Sequence, residues 1–179
     1  MSAAHGEPHV HHAPATLHDE GAAAGGKLDT LFPWIIALGI LLTDQITKQF
    51  VLARIETGMI VPVIGEYLSF TYVRNPGIAF GLHLGAWSRP FFVATALVVL
   101  GALISFYRGI PREDRLRRLA LAVLCAGAIG NLIDRIRWSE GVVDFIRLTV
   151  AGYAWPIFNV ADMAVTSGAI LLGISLLTE

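Results

Sequence analysis

The run PFFVATALVVLGALISFYRGIPREDRLRRLALAVLCAGAIG, residues 90–130, contains two long apolar stretches with five arginines crowded between them. A helix needs roughly 20 residues to cross about 30 Å of hydrocarbon, so the pattern predicts two membrane-spanning helices over about 89–107 and 117–137. Comparable stretches lie on either side, at about 31–53 and 156–177, which makes four. Pro33, Pro90 and Pro156 fall at the predicted helix starts, where a missing N–H costs nothing in a first turn. Trp34, Trp87, Trp138 and Trp155 fall at predicted helix ends, as an interfacial aromatic belt requires. Positive loops stay in the cytoplasm. The segment YRGIPREDRLRR, with Arg108, Arg112, Arg115, Arg117 and Arg118, therefore places both termini on that side.

Composition agrees. Of 179 residues 55% are hydrophobic and only 15% charged, and the mean hydropathy is +0.63, outside the range of soluble domains. A formal net charge of −1 argues against a nucleic-acid partner, whose phosphates would call for a basic surface. The single cysteine, Cys125, excludes an internal disulfide, a CxxC pair and a multi-cysteine zinc site. Lying in an apolar stretch, it reads as a small core residue. Residues 1–28 lack any apolar run and the basic-then-apolar order of a cleavable leader, and read as a disordered tail. His5, His9, His11, His12 and His18 lie in it at spacings that fit no metal site. Residues 29–179 then form one membrane domain.

Two segments lie on the outer side, about 54–88 and 138–155. YLSFTYV and GVVDFIRLTV are rich in β-branched and aromatic residues and predict short strands. Gly77, after Pro76, allows a tight turn in NPG. The lone His83 reads as a surface residue. The expected fold is a mainly α membrane protein, four transmembrane helices carrying a small extracytoplasmic β-rich cradle.

Charged groups at membrane depth are costly and usually functional. Counting about 1.5 Å of rise per residue, Asp44 and Lys48 of the first helix, Asn131, Asp134 and Arg135 of the third, and Asn159 and Asp162 of the fourth fall in one layer of the outer leaflet. Asp44 with Lys48 and Asp134 with Arg135 can also be read as charge pairs that satisfy one another. Asp162 has no basic residue within a turn on its own helix, and the nearest acidic residue in the outer segments is Asp144. Two such carboxylates suit peptide hydrolysis, because mutual repulsion separates their proton affinities and leaves one as general base, the other as general acid. No metal is required. A Ser–Lys dyad has no support, since no serine stands at helical spacing from Lys48.

The motifs DQITK, NPGIAFG, GAIGNLIDR, GVVDFI and FNVAD, in that order over residues 31–177, resemble those of signal peptidase II, the lipoprotein signal peptidase of bacteria. The resemblance implies an aspartic endopeptidase of the bacterial cytoplasmic membrane that removes the signal peptide of prolipoproteins by cutting before a diacylglyceryl-modified cysteine. It needs no cofactor. It implies Asp144 and Asp162 as the catalytic pair and Asp44, Lys48, Asn75, Asn131, Asp134, Arg135, Asn159 and Ala161 as active-site and supporting positions, beside Gly77 in its turn. Its partners would be lipid-modified prolipoproteins and membrane lipid, with the chain a monomer. Ala126 stands where the family commonly has a glycine. Two other readings remain: a small proton or ion carrier, for which membrane carboxylates are also normal parts, and a scaffold subunit in which the aspartates only pair helices.

Overall fold

The computed structural model describes residues 17–77 and 85–178, with side chains from Thr30 onward. Among these, the order is α1 (Leu17–Arg54), β1 (Ile60–Ile64), β2 (Leu68–Asn75), α2 (Ser88–Gly109), α3 (Arg115–Arg137), β3 (Val142–Val150), β4 (Tyr153–Ala154) and α4 (Val160–Leu177). Thr30–Arg54, Ser88–Gly109, Arg115–Arg137 and Val160–Leu177 are long and apolar enough to cross a membrane. The four strands form one antiparallel sheet in chain order.

Two boundaries differ from the sequence reading. α1 begins at Leu17 rather than near residue 31, so Pro33 lies inside it. The stretch from Leu17 to Phe32 has no proline, and adding turns to a helix already nucleated costs little. Residues 1–16 of the expected tail, and His83, lie outside the described residues. α4 begins at Val160 rather than Pro156. Residues 155–158 are held extended beside β3 instead: Trp155 N donates to Leu148 O at 2.8 Å and Phe158 N to Ile146 O at 3.1 Å. A capping box then starts the helix, with Asn159 Oδ1 accepting from Asp162 N at 2.9 Å and Asp162 Oδ2 accepting from Asn159 N at 3.2 Å.

α3 is the central helix, 67% of its spanning window being buried against 6% for α2. Its small residues let the neighbours approach. A Cβ on Gly127 would stand 2.4 Å from Ala161 O of α4, and one on Gly130 would stand 2.7 Å from Asp44 Oδ2 of α1. Ala126, 3% exposed, packs against Ala37 of α1 and Ala122, so its extra methyl fits a contact between small side chains. The sheet is fastened to the bundle by Val143 and Phe145 of β3, which pack on Val51 and Ile55 at the end of α1.

Candidate active site

Eight polar side chains from three helices and two strands meet where the sheet joins the bundle. Lys48, 1% exposed, lies 2.9 Å from Asp44 Oδ2 and 2.9 Å from Asp134 Oδ2. Each carboxylate also holds a backbone amide: Asp44 Oδ1 accepts from Ala161 N at 2.9 Å, and Asp134 Oδ2 from Val143 N at 3.1 Å. One ion-paired unit therefore ties α1 to the first turn of α4 and to the root of β3. Gln45 adds a bond to Asp44 Oδ2 at 3.1 Å. Asp134 with Arg135, one of the charge-pair readings left open by the sequence, forms no salt bridge among the described residues. Consecutive helix residues point in different directions, and Asp134 turns to Lys48 of the neighbouring helix.

Above this unit three asparagines arrange the remaining carboxylates. Asn131 Oδ1 accepts from Lys48 Nζ at 3.3 Å while its Nδ2 donates to Asp162 Oδ1 at 2.7 Å. Asn159 Nδ2 donates to Asp144 Oδ1 at 2.7 Å and to Asn131 Oδ1 at 3.1 Å. Asn75 Nδ2 donates to Asp144 Oδ2 at 2.9 Å. Asn159 is the bridge, because its amide holds Asp144 while its backbone N–H and Oδ1 hold Asp162. Asp162 also sits in the first turn of α4, where a negative side chain meets the helix's exposed N–H groups favourably. Asp144 and Asp162 both line one groove of about 590 Å³. Its walls include Trp155, Phe158, Met163 and Ile170, so the two carboxylates stand at the polar end of an otherwise largely apolar trough running along α4.

The Asn75 arm depends on two glycines. Gly77 N donates to Asn75 Oδ1 at 2.9 Å with φ +95°, and a Cβ on Gly77 would lie 2.3 Å from the Phe92 ring. On the other side, a Cβ on Gly141, φ +103°, would lie 2.2 Å from Asn75 O. Gly77→Val should therefore displace Asn75 from Asp144 and lower kcat by at least about tenfold, since small misplacements of catalytic groups are expensive. Steady-state rates alongside a thermal melt check this. An unchanged kcat would show that the turn does not control the site.

Arg135 stands apart from this network. Its Nη1 bonds Asn131 O of its own helix at 3.2 Å, its guanidinium lies 5.7 Å from the Phe92 ring centre, and among the described residues Nε has no hydrogen-bond partner. It lines a separate cavity of about 350 Å³ with Pro76, Arg89 and Phe92, within electrostatic reach of Asp162, Asp144 and Asp134. The other expected residues, Asp44, Lys48, Asn75, Gly77, Asn131, Asp134, Asp144, Asn159, Ala161 and Asp162, are joined by the bonds given above. Sequence reasoning passed over Gly141, Gln45 and Arg74. Arg74 Nη1 donates to Gly141 O at 3.3 Å and its guanidinium lies 4.8 Å from the Trp138 ring centre, which closes the corner between α3 and β3. The glycine opening GVVDFI was the available signal.

A bundle of membrane-spanning helices that presents two asparagine-bridged carboxylates to a groove is the architecture of a membrane aspartic peptidase. The family model described as signal peptidase (SPase) II matches residues 36–178. The lipoprotein signal peptidase of Moorella thermoacetica is 42% identical over 138 residues, covering 77% of this chain and 87% of that protein. That of Syntrophus aciditrophicus is 36% identical, covering 83% and 94%. A solved bacterial membrane enzyme, 36% identical, superposes with a TM-score of 0.76 and covers 83% of this chain and 94% of its own. The chain belongs to the signal peptidase II family. Membership does not favour the ion-carrier or scaffold readings.

Proposed function

We propose that the chain removes signal peptides from diacylglyceryl-modified prolipoproteins by cutting before the lipidated cysteine, with Asp144 and Asp162 as the catalytic pair. The observation that carries this reading is that both carboxylates line one groove and are coupled through Asn159. Asp162 acts as general base on a water, and Asp144, holding a proton, polarises the scissile carbonyl and then protonates the departing nitrogen. Asn75, Asn131 and Asn159 keep the pair in place, a preorganising role. Arg135 supplies positive potential beside it. The apolar trough along α4 suits a substrate that arrives from the bilayer. The active site faces the outer side of the bacterial cytoplasmic membrane, both termini lie in the cytoplasm, and the enzyme works as a monomer. Residues 29–179 are the peptidase domain, and residues 1–28 take no part in the chemistry.

A gel-shift assay with a diacylglyceryl-modified prolipoprotein and its unlipidated control tests the reaction. Cleavage of the lipidated form alone is expected. Equal cleavage of both, or none by folded protein, would remove the proposal.

Burial raises the Asp144 carboxyl to about 6, with the charge of Asp162 adding to the rise, while hydrogen bonds from Asn75 and Asn159 and the charge of Lys48 oppose it. A carboxyl whose pKa is higher folded than unfolded favours the native state at acid pH, and that contribution is lost as pH climbs through about 6. With Asp144 as the acid, kcat/KM should fall above that pH. Asn75→Ala removes a donor that favours the ionised form, so the descending limb should move to higher pH. A limb that stays in place or moves down would reverse the assignment of acid and base.

A further inference from the structure

At the end of the bundle opposite the carboxylates, the last turns of α2, the Ile110–Pro111 turn and Arg117 of α3 line an open cleft of about 490 Å³. Ala102, Ser105, Phe106, Ile110 and Pro111 line it, and Arg117 stands in its wall. The cleft is held in shape from behind. Arg118, 8% exposed, donates to Ile110 O at 3.1 Å and to Tyr107 Oη at 3.0 Å, and its guanidinium lies 4.3 Å from the Tyr107 ring centre. That ring meets Trp34 of α1 edge-on at 4.8 Å, so three helices are locked together at this end. Arg117 is held in place as well, with Nε 3.1 Å from Asp114 Oδ2 and its backbone N–H donating to Asp114 Oδ1 at 3.0 Å.

The position of the cleft limits what can fill it. Gly109 ends one membrane span and Arg115 begins the next, so the cleft lies where hydrocarbon gives way to headgroups. Its body is apolar and continues into outward-facing side chains such as Phe106, 51% exposed. At its mouth stands Arg117, and the exposed Arg112 directly follows Pro111 of the lining. A guanidinium matches the geometry of a phosphate oxygen pair, and basic pockets between membrane helices take anionic headgroups. We propose that this cleft binds an anionic glycerophospholipid, of the phosphatidylglycerol kind, with its phosphate on Arg112 and Arg117 and an acyl chain between α2 and α3. The site is distinct from the peptidase groove and does not depend on that activity.

The test uses the full chain, delipidated and then offered phosphatidylglycerol or phosphatidylcholine of equal chain length, with retained lipid counted by native mass spectrometry. Wild type should prefer the anionic lipid by about 25-fold, roughly fivefold for each guanidinium engaged. Arg112→Gln with Arg117→Gln should bring the ratio close to one. Gly109→Phe fills the cleft without altering charge, at a position where a Cβ meets nothing within 4 Å, and should also abolish the preference. Equal retention of the two lipids by wild type would overturn the proposal. So would a Gly109→Phe chain with its preference intact, because the selectivity would then belong to diffuse surface charge.

Discussion

Asp144→Asn and Asp162→Asn are each expected to lower the cleavage rate by about 10³-fold or more while the chain remains folded. A positioned general acid or base contributes about 10²–10⁴, and here each carboxylate has a separate task, so loss of either stops the reaction. The structural cost is small by comparison. Asparagine keeps the shape of aspartate, and at Asp144 it exchanges one accepting oxygen for a donor facing Asn75 or Asn159, a loss of about 1 kcal/mol for one hydrogen bond. Single-turnover cleavage of the lipidated substrate, with a melt of each variant in the same detergent, separates the two effects. Retention of a tenth of wild-type rate by either variant would end the paired-carboxylate mechanism.

The second large effect belongs to a residue far from the reacting bond. Lys48→Met should destabilise the fold by about 3–5 kcal/mol, the usual consequence of leaving a buried charge without its partner. Two carboxylates, Asp44 and Asp134, would then face each other at 0% and 2% exposure with no cation between them. Net stabilities are only about 5–15 kcal/mol, so the loss should appear as a melting midpoint lowered on the order of 10 °C. Activity should fall too, even below the new midpoint, because Lys48 holds the Asn131 oxygen whose amide holds Asp162. Adding Asp44→Asn to Lys48→Met removes one of the stranded charges and should restore part of the stability but not the rate. A Lys48→Met chain that melts with wild type would show that the ion-paired unit does not support the site.

Much of this organisation is legible in the chain. The apolar lengths set the helices, and the polar residues at membrane depth converge on one layer because a helix's rise per residue is constant. Asp162 stood out for lacking a basic neighbour on its own helix, and its connection does come from elsewhere, through Asn131 of α3 and Asn159. The partner of Asp134 was not legible. Adjacency along the helix pointed to Arg135, while the choice between Lys48 and Arg135 depends on how far α1 and α3 are rotated toward each other. Gly130 controls that approach by leaving room for Asp44. Pro156 was a sound helix-start signal that lost to strand pairing, since hydrogen bonds to β3 hold residues 155–158 extended until the Asn159 cap.

Sequence alone determined that the chain spans a membrane four times, carries a small sheet and brings three polar helix segments to one depth, because hydrophobic length and helical rise are local quantities. Only the tertiary structure decided which carboxylate is spent on Lys48 and which is left facing the groove. That division depends on helix rotation, on the close approach allowed at Gly127, Gly130 and Gly141, and on asparagines reaching between elements, none of which has a period or a spacing along the chain.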